Sequence, residues 1–166
     1  MSIITNGNIG PVYQPDYFEA RQVLAADSAL TTTATAASAF AFNVLKNERV
    51  VFRFTLFYDQ DNAGDDLQYT IKSTDSAGSN VTPAFYSEHV NAIVPGATAF
   101  LAVTTTPNAG DTLDTTGTGQ GMAVIQGVIL GNATTDSTVN LLLAKQADTA
   151  GATTVQEGSF LELRRF

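Results

Sequence analysis

The chain has 166 residues and no cysteine, and its 16 acidic and 8 basic residues give a formal net charge of −8. The lack of cysteine excludes disulfides and thiolate metal sites, and the acidic balance argues against nucleic acid as a partner, because phosphate-coating surfaces need clustered Lys and Arg. Only 14% of the residues are charged while 44% are hydrophobic, so we expect one β-rich domain whose surface is largely covered by something else.

The start of the chain carries no targeting or membrane signal. MSIITNGNIGPVY lacks the basic segment and apolar core of a signal peptide. No stretch approaches the roughly 20 apolar residues that span a bilayer. We therefore expect a protein that is made in the cytoplasm and has no membrane partner.

Residues 1–35 predict an extended N-terminal arm, followed by the main domain at 36–166. The arm is rich in turn formers and carries three bulky anchors, Tyr13, Tyr17 and Phe18. A short helix is predicted from Pro15 through Gln22, with proline at its start. Aromatic side chains on such an arm need a surface to bury against, so we expect the three anchors to contact a neighbouring subunit.

From Ala39 the hydrophobic pattern has a period of two, which is typical of β-strands. Gly, Asn and Asp separate the strand-like segments, and no helical period of any length appears. The segments are AFAFNVLK, VVFRFTLFY, LQYTIKS, PAFYSEHV, TAFLAVT, MAVIQGVIL, STVNLLLAK and SFLELRRF. The pattern predicts an all-β fold, an antiparallel β-sandwich (jelly roll) of about eight strands.

The alternation of residues along these strands also predicts which side chains face the core. One face is apolar along three segments: Phe40, Phe42, Val44; Val50, Phe52, Phe54, Leu56, Tyr58; Leu67, Tyr69, Ile71. The residues predicted for the opposite face are Val51, Arg53, Thr55 and Phe57 in one strand, and Ala123, Ile125, Gly127 and Ile129 in another. A sheet wetted on one side alternates cleanly between apolar and polar residues, and these strands do not.

Two explanations of this second apolar face stay open. These strands are central and partly covered by the chain's own loops, or the outer face of one sheet packs against copies of itself around a symmetry axis. The sparse surface charge favours the second.

The segments that suggest chemistry match their motifs poorly. DQDNAGDD, at Asp59 to Asp66, lacks the ligand spacing of a calcium loop. GTGQG precedes a strand and carries no Lys, unlike a phosphate-binding loop, and we expect it to be a flexible loop. His89, the only histidine, has no nucleophile motif around it. We expect no enzymatic activity, no cofactor and no metal.

Two stretches carry a family resemblance. FNVLKNERVVFRFTLFYDQDNAGDDLQYTI and IQGVILGNATTDSTVNLLLAKQADTAGATTVQEGSFLELRRF resemble structural proteins of tailed-bacteriophage virions that carry a trimeric jelly roll of the tumour-necrosis-factor/C1q type. The resemblance covers residues 39–166 and rests on structural motifs: an Arg-Phe-Thr-Leu run, an acidic Gly-Asp turn, and a closing Gly-Ser-aromatic-Leu strand.

The resemblance implies a homotrimer that docks on the virion. A compact domain with an arm suits a capsid cement or decoration protein that contacts the major capsid protein on the capsid surface after synthesis in the host cytoplasm. A phage tail, fibre or baseplate protein, with a host-glycan-binding tip, is the alternative. The expected subunit-interface residues are Val51, Arg53, Phe57, Arg164, Arg165 and Phe166. The two arginines are alternatively solvated residues on an ordinary edge strand.

Overall fold

The computed structural model describes residues 3–6, 9–13, 20–31, 35–62, 67–94, 97–104, 110–113, 118–146 and 151–166. These residues contain antiparallel strands and no helix. The predicted all-β sandwich is confirmed. The eight segments expected from the period of two each form a strand, because β-branched and aromatic side chains at alternate positions fit a pleated, half-buried surface.

The strands form two main sheets and a separate hairpin. The larger sheet contains β3 (Ala20–Val23), β4 (Ser28–Ala29), β6 (Arg49–Gln60), β8 (Phe85–Val94), β9 (Ala97–Thr104), β11 (Gly119–Leu130), β13 (Thr153–Val155) and β14 (Phe160–Arg165). The smaller sheet contains β5 (Thr35–Val44), β7 (Leu67–Thr74), β10 (Gly110–Leu113) and β12 (Ser137–Lys145). The hairpin consists of β1 (Ile3–Asn6) and β2 (Ile9–Tyr13).

The order of strands is that of a jelly roll. The larger sheet runs β3-β14-β6-β11-β8-β9 and the smaller runs β10-β7-β12-β5. From β5 to β13 the chain crosses between the sheets at each step, apart from the β8–β9 hairpin, which extends the larger sheet beyond β11. On the edge of β6 that faces away from β11, the short strand β13 pairs with the end of β6. Strand β4 in turn pairs with β13.

The core lies between the two sheets and consists of the predicted faces. Every side chain predicted for the core face of β5, β6 and β7 is buried: Phe40, Phe42, Val44, Val50, Phe52, Phe54, Leu56, Tyr58, Leu67, Tyr69 and Ile71. Phe42, Phe52 and Phe54 form a ring cluster with centroid separations of 5.6 to 6.4 Å. Burying one such ring stabilises the fold by about 1.5–3 kcal/mol relative to leaving it exposed.

Part of the predicted arm belongs to the larger sheet. Ala20–Val23 forms β3 and pairs with β14, so the helix predicted through Gln22 is wrong over its described residues. The physical reason is the free edge of β14, whose backbone groups bind an extended segment. Leu30, further along the predicted arm, is buried in the core. The boundary at residue 35 stays a prediction.

Candidate functional site on the outer face of the larger sheet

The outer face of the larger sheet is the surface of β14, β6, β11 and β8 that points away from the core. Along β6 it carries Val51, Arg53, Thr55 and Phe57, as predicted, because the residues between them are buried in the core. Thr55 is itself only 3% exposed. Strand β6 is therefore apolar on its core face, while its outer face combines Val51 and Phe57 with the polar Arg53 and Thr55.

The predicted orientation of β11 is wrong. Ala123, Ile125, Gly127 and Ile129 are buried and point into the core, and the alternate residues point outward. The register with β6 places Val124 opposite Thr55 and Val128 opposite Val51, which fixes the outward set. Both sets are largely apolar, and Gln126 is the residue in the pattern of β11 that marks the outward set.

With this correction the outer face receives larger apolar side chains from β11, together with the polar Gln126. Phe57 and Phe160 pack against each other across β6 and β14, with ring centroids 6.3 Å apart. Three apolar residues at the margins of the outer face are largely exposed: Val23 at 49%, Phe85 at 54% and Phe166 at 63%. The apolar residues of the outer face are Val23, Val51, Phe57, Phe85, Met122, Val124, Val128, Leu130, Phe160 and Phe166.

A polar ladder crosses this apolar face at one level. It consists of Glu162 on β14, Arg53 on β6, Gln126 on β11 and His89 on β8, each directly opposite the next. Arg53 Nε lies 3.6 Å from Glu162 Oε2, and both atoms are shielded from solvent. The side chains of Gln126 and His89 contact each other. The ladder thus consists of two interacting pairs, Arg53 with Glu162 and Gln126 with His89.

The two predicted interface arginines lie on different faces of β14. Arg164 stacks its guanidinium on the ring of Phe166 at 4.7 Å, at the end of the outer face. Arg165 points the other way: its Nη1 donates to the carbonyl oxygen of Asn43 and to both carboxylate oxygens of Glu48, at 2.9 to 3.0 Å. Arg165 therefore fastens the last strand to the turn before β6, within the same chain.

The structure describes little of the three arm residues that are predicted to contact a capsid subunit. The backbone of Tyr13 is on β2, and Tyr17 and Phe18 lie outside the described residues. Whether any of the three contacts a capsid subunit stays a prediction, as does the subunit contact of Val51, Arg53, Phe57 and the C-terminal residues.

The other candidate segments have structural roles where they are described. Gly119 and Gly121 begin β11, so the second half of GTGQG is a strand and not a flexible loop. In the acidic turn, Asp61 Oδ2 accepts a hydrogen bond from the amide of Ala152, and Asp65 and Asp66 lie outside the described residues. Over the described ranges, no cluster of three or more His, Asp or Glu has the geometry of a metal site.

The smaller sheet carries an open polar cleft at the end where β5 and β12 meet the turns. It has a volume of about 520 Å³ and is lined mainly by hydroxyl, amide and carboxylate groups, among them Asn43, Asp75, Thr135 and Asp136. Both carboxylates are engaged: Asp75 accepts from the amides of Ala77 and Ser79, and Asp136 accepts from the amide of Lys46.

Comparison with known proteins adds little to this description. No family model and no curated protein matches the chain. A solved structure described as "Structure of infectious bursal disease virus Gx strain" aligns with 13% sequence identity and a TM-score of 0.25, covering 98% of this chain and 43% of that chain. The chain thus spans less than half of the length of that structure, and so low a TM-score supports no inference about function. Among the residues described, no helix is long and apolar enough to cross a membrane.

The fold and the outer face together indicate the structural class of this protein. The chain is an all-β jelly roll whose larger sheet carries apolar side chains on its outer face as well as on its core face. Among the described residues, the chemically distinctive surface is the outer face of that sheet.

Proposed function

We propose that this chain is a virion structural protein, a capsid cement or decoration protein that stabilises a phage head. In this proposal it forms a homotrimer through the outer face of the larger sheet and bridges major capsid subunits at the capsid surface. It catalyses no reaction and needs no cofactor. The resemblance of residues 39–166 to trimeric jelly rolls of tailed-phage virions supports the virion assignment.

The observation that carries the proposal is the apolar outer face. Contiguous apolar patches larger than a few hundred Å² are rare on monomers and mark interaction surfaces. Here Val51, Phe57, Val124 and Val128 are only partly covered in the single chain, and Phe160 continues the patch onto β14. Each fully buried aliphatic or aromatic side chain contributes about 1.5–3 kcal/mol, so covering this face provides a large driving force for association.

The charges on this face suit a second copy of the same chain. The central ion pair is neutral as a unit, because Arg53 offsets Glu162. Two molecules with a net charge of −8 repel at long range, so contact through a face whose central charges offset each other opposes association less than contact through an acidic surface would.

The position of the last strand also supports a trimer of the resembling type. Strand β14 lies beside β6 in the larger sheet, and its Arg164 and the following Phe166 flank the outer face. Arginine and aromatic residues are enriched in protein interfaces. In the trimers that this chain resembles, the closing strand comes near a neighbouring subunit. In the proposed trimer, β14 lies near a neighbouring subunit in the same way.

The first residues support an attachment role. Strands β1 and β2 form a sheet of their own, separate from the sandwich. An isolated two-stranded hairpin is marginally stable at best in water, so a further surface is needed to hold it. Strand β3, in contrast, is anchored on β14. We propose that residues 1–13 reach a major capsid subunit while β3 holds the arm to its own domain.

Particle reconstruction together with a truncation tests this function. We expect density for the chain at three-fold or quasi-three-fold positions of the capsid, and a trimer mass in solution. Removing residues 1–13 leaves the jelly roll and β3 intact, so the variant stays a folded trimer that no longer co-sediments with capsids. Density at the tail or fibre tip, or a truncated chain that binds capsids as well as the full chain, would exclude the cement role.

A second candidate is a tail, fibre or baseplate protein whose tip binds a host glycan, and the polar cleft favours it. Hydroxyl, amide and carboxylate groups such as those of Thr135, Asn43 and Asp136 are the groups that bind sugar hydroxyls. Of the aromatic side chains that would serve as sugar platforms, Tyr58, Tyr69 and Tyr86 are buried and Phe85 is exposed. Binding of the chain to a glycan array tests this candidate. Specific binding that is lost in Asp136→Ala supports it, and no binding excludes it.

A further inference from the structure

The outer face ends, beside the turn between β5 and β6, in two rows of mainly aromatic, aliphatic and basic side chains. Backbone pairing across β8, β11, β6 and β14 places four residues in each row. In the last row the amide of Phe166 donates to the carbonyl oxygen of Arg49, which continues the pairing beyond the end of β14. We call the two rows the basic corner, and its residues are Phe85, Leu130, Arg49 and Phe166, then Ser87, Val128, Val51 and Arg164.

The aromatic rings of the basic corner are exposed in the single chain. Phe85 and Phe166 stand at the two ends of the last row, and more than half of each side chain is exposed. Arg49 between them is exposed as well, and the guanidinium of Arg164 lies over the Phe166 ring at 4.7 Å. Aromatic residues and arginine are enriched in protein interfaces and among the residues that contribute most to binding. The composition of the basic corner is therefore that of a binding surface.

The charge of the basic corner is opposite to that of the whole chain. Its eight side chains include two arginines and no carboxylate, whereas the chain has a net charge of −8. Among the described residues, neither Arg49 nor Arg164 forms an ion pair. Glu162 on β14 and Glu48 before β6 each pair with a different arginine. A partner that approaches this corner therefore meets positive charge that no described carboxylate offsets by direct contact.

These groups suit an acidic peptide segment that also carries apolar side chains. A guanidinium binds a carboxylate through two parallel hydrogen bonds, and exposed aromatic rings gain free energy when apolar side chains cover them. Arg49 and Arg164 lie in adjacent rows on adjacent strands. Carboxylates at alternate positions of an extended segment are about 7 Å apart, which matches the spacing of the rows. Two arginines are too few for a phosphate-coating surface on a chain this acidic.

A second copy of this chain is the less suitable partner for the corner. In the proposed trimer, copies meet through their outer faces. The outward charged side chains of β6 and β14 on that face are three arginines and two carboxylates: Arg49, Arg53, Arg164, Asp59 and Glu162. Another outer face is therefore not an acidic surface, and a different protein supplies the carboxylates more readily.

We propose that the basic corner binds an acidic segment of another protein, with Arg49 and Arg164 on its carboxylates and Phe85 and Phe166 on its apolar side chains. The identity of this partner rests on the proposed function, in which the segment belongs to a major capsid subunit. The corner is then a second contact with the capsid beside residues 1–13. Two linked contacts bind more tightly than either alone.

Co-sedimentation with capsids that lack this chain tests the inference. Arg49→Glu with Arg164→Glu reverses the charge of the corner, and we expect capsid binding to weaken by roughly tenfold or more, since like charges at an interface oppose binding strongly. The matched control is Lys46→Glu with Lys72→Glu, which changes the net charge equally. Lys46 lines the polar cleft and Lys72 lies on β7 of the smaller sheet, so the control should bind as the unmodified chain does. If the glutamate variant does not fold, Arg49→Gln with Arg164→Gln replaces it, with a smaller loss of binding expected.

Photo-crosslinking identifies what lies on the corner. We expect Phe85→p-benzoylphenylalanine, irradiated on the capsid, to crosslink to a peptide of a capsid subunit that is rich in Asp and Glu. Native mass spectrometry of the charge-reversed variant checks its assembly, and the trimer mass is expected to be unchanged.

Four outcomes contradict the proposal. A corner variant that binds capsids as well as the lysine control shows that the corner is not a contact. Crosslinks to another copy of this chain, or to a peptide without acidic residues, show that the occupant is different. A corner variant that is folded but monomeric places the corner in the subunit interface. These three outcomes leave the cement role in place, whereas an unmodified chain that does not bind capsids overturns the cement role and this inference together.

Discussion

The ring of Tyr58 lies directly over Gly121 on the neighbouring strand. The two residues are opposite each other in the register of β6 and β11, and a Cβ placed on Gly121 would lie 2.8 Å from Tyr58 Cε2 and closer still to Cζ and Oη. Tyr58 is 1% exposed. The absence of a side chain at Gly121 is thus what lets a large aromatic ring fill this end of the core.

Gly121→Ala should destabilise the fold by about 2 kcal/mol, since a methyl group in a filled core forces the ring and its neighbours to shift. Urea denaturation measures the loss. Tyr58→Leu removes the overlapping ring atoms, so the double variant should be less destabilised than the sum of the single variants. Strict additivity would show that the Tyr58 ring is not what the added methyl group meets.

Gly131→Ala should cost more, about 3 kcal/mol, because the added Cβ would overlap the backbone carbonyl oxygen of Leu45 and lie 3.2 Å from Val44 Cγ1. A backbone group held between β5 and β6 cannot turn aside as a side chain can. Thermal melts of this variant and of Gly78→Ala test the steric cause. Gly78 has φ +82° with open space around it, so its substitution costs only the backbone strain of about 1–2 kcal/mol. Equal losses at the two positions would contradict the overlap.

Ser159→Ala should destabilise the fold by about 1–3 kcal/mol. The Ser159 hydroxyl is completely buried, accepts a hydrogen bond from the amide of Phe57 at 2.9 Å and donates to the carbonyl of Gln156 at 2.8 Å. Alanine leaves the partly buried Phe57 amide without that acceptor, and an unsatisfied donor shielded from water carries its desolvation cost. Hydrogen exchange at the Phe57 amide should be faster in the variant. An unchanged exchange rate at this amide, with other amides as references, would be evidence against the bond.

Arg165→Met should weaken the end of β14. The guanidinium bridges Glu48 and the Asn43 carbonyl, and Glu48 Oε2 also accepts from the amide of Leu45 at 2.8 Å. Because the Arg165 side chain is 35% exposed, solvent screens the pair and we expect a coupling with Glu48 of about 1 kcal/mol. A double-mutant cycle with Glu48→Gln measures it. A coupling near zero would show that the ion pair adds nothing to stability.

Val128→Asp should separate the proposed trimer without unfolding the chain. Val128 lies on the outer face opposite Val51 and is only partly covered, so a carboxylate there is tolerated in the monomer and desolvated in the assembly. Light scattering should show the monomer mass at concentrations where the unmodified chain is trimeric. Ala133→Asp, in an exposed turn, serves as the control and should keep the trimer. A Val128→Asp chain that remains trimeric would place the interface elsewhere.

The alternation along single strands predicted more of the fold than any motif did. The core faces of β5, β6 and β7 follow directly from it, because the residues between the core positions include Arg53, Gln68 and Lys72. For β11 the alternation gave a weak signal, since Val124 and Val128 are as apolar as Ile125 and Ile129 and Gln126 is the polar residue that marks their face. Pairing with β6 decides the orientation there, and pairing is not visible in the residues of one strand.

Two further features depended on contacts between distant segments. Ala20–Val23 favoured a helix in the local pattern and became a strand because β14 offered a free edge. Arg164 and Arg165 are adjacent and chemically identical, yet one flanks the outer face and the other binds Glu48. The signal for that difference was the period of two along SFLELRRF, together with an acidic partner more than a hundred residues away.

The amino-acid sequence by itself determined the class of the fold, the eight main strands and the presence of excess apolar side chains, because these depend on composition and on the alternation within short segments. Only the tertiary structure decided which apolar residues form one continuous outer face and that Glu162, Arg53, Gln126 and His89 stand in one row across it. The physical reason is that hydrogen-bond register joins residues far apart in the chain. A surface that binds a partner is built from that register and not from any single strand.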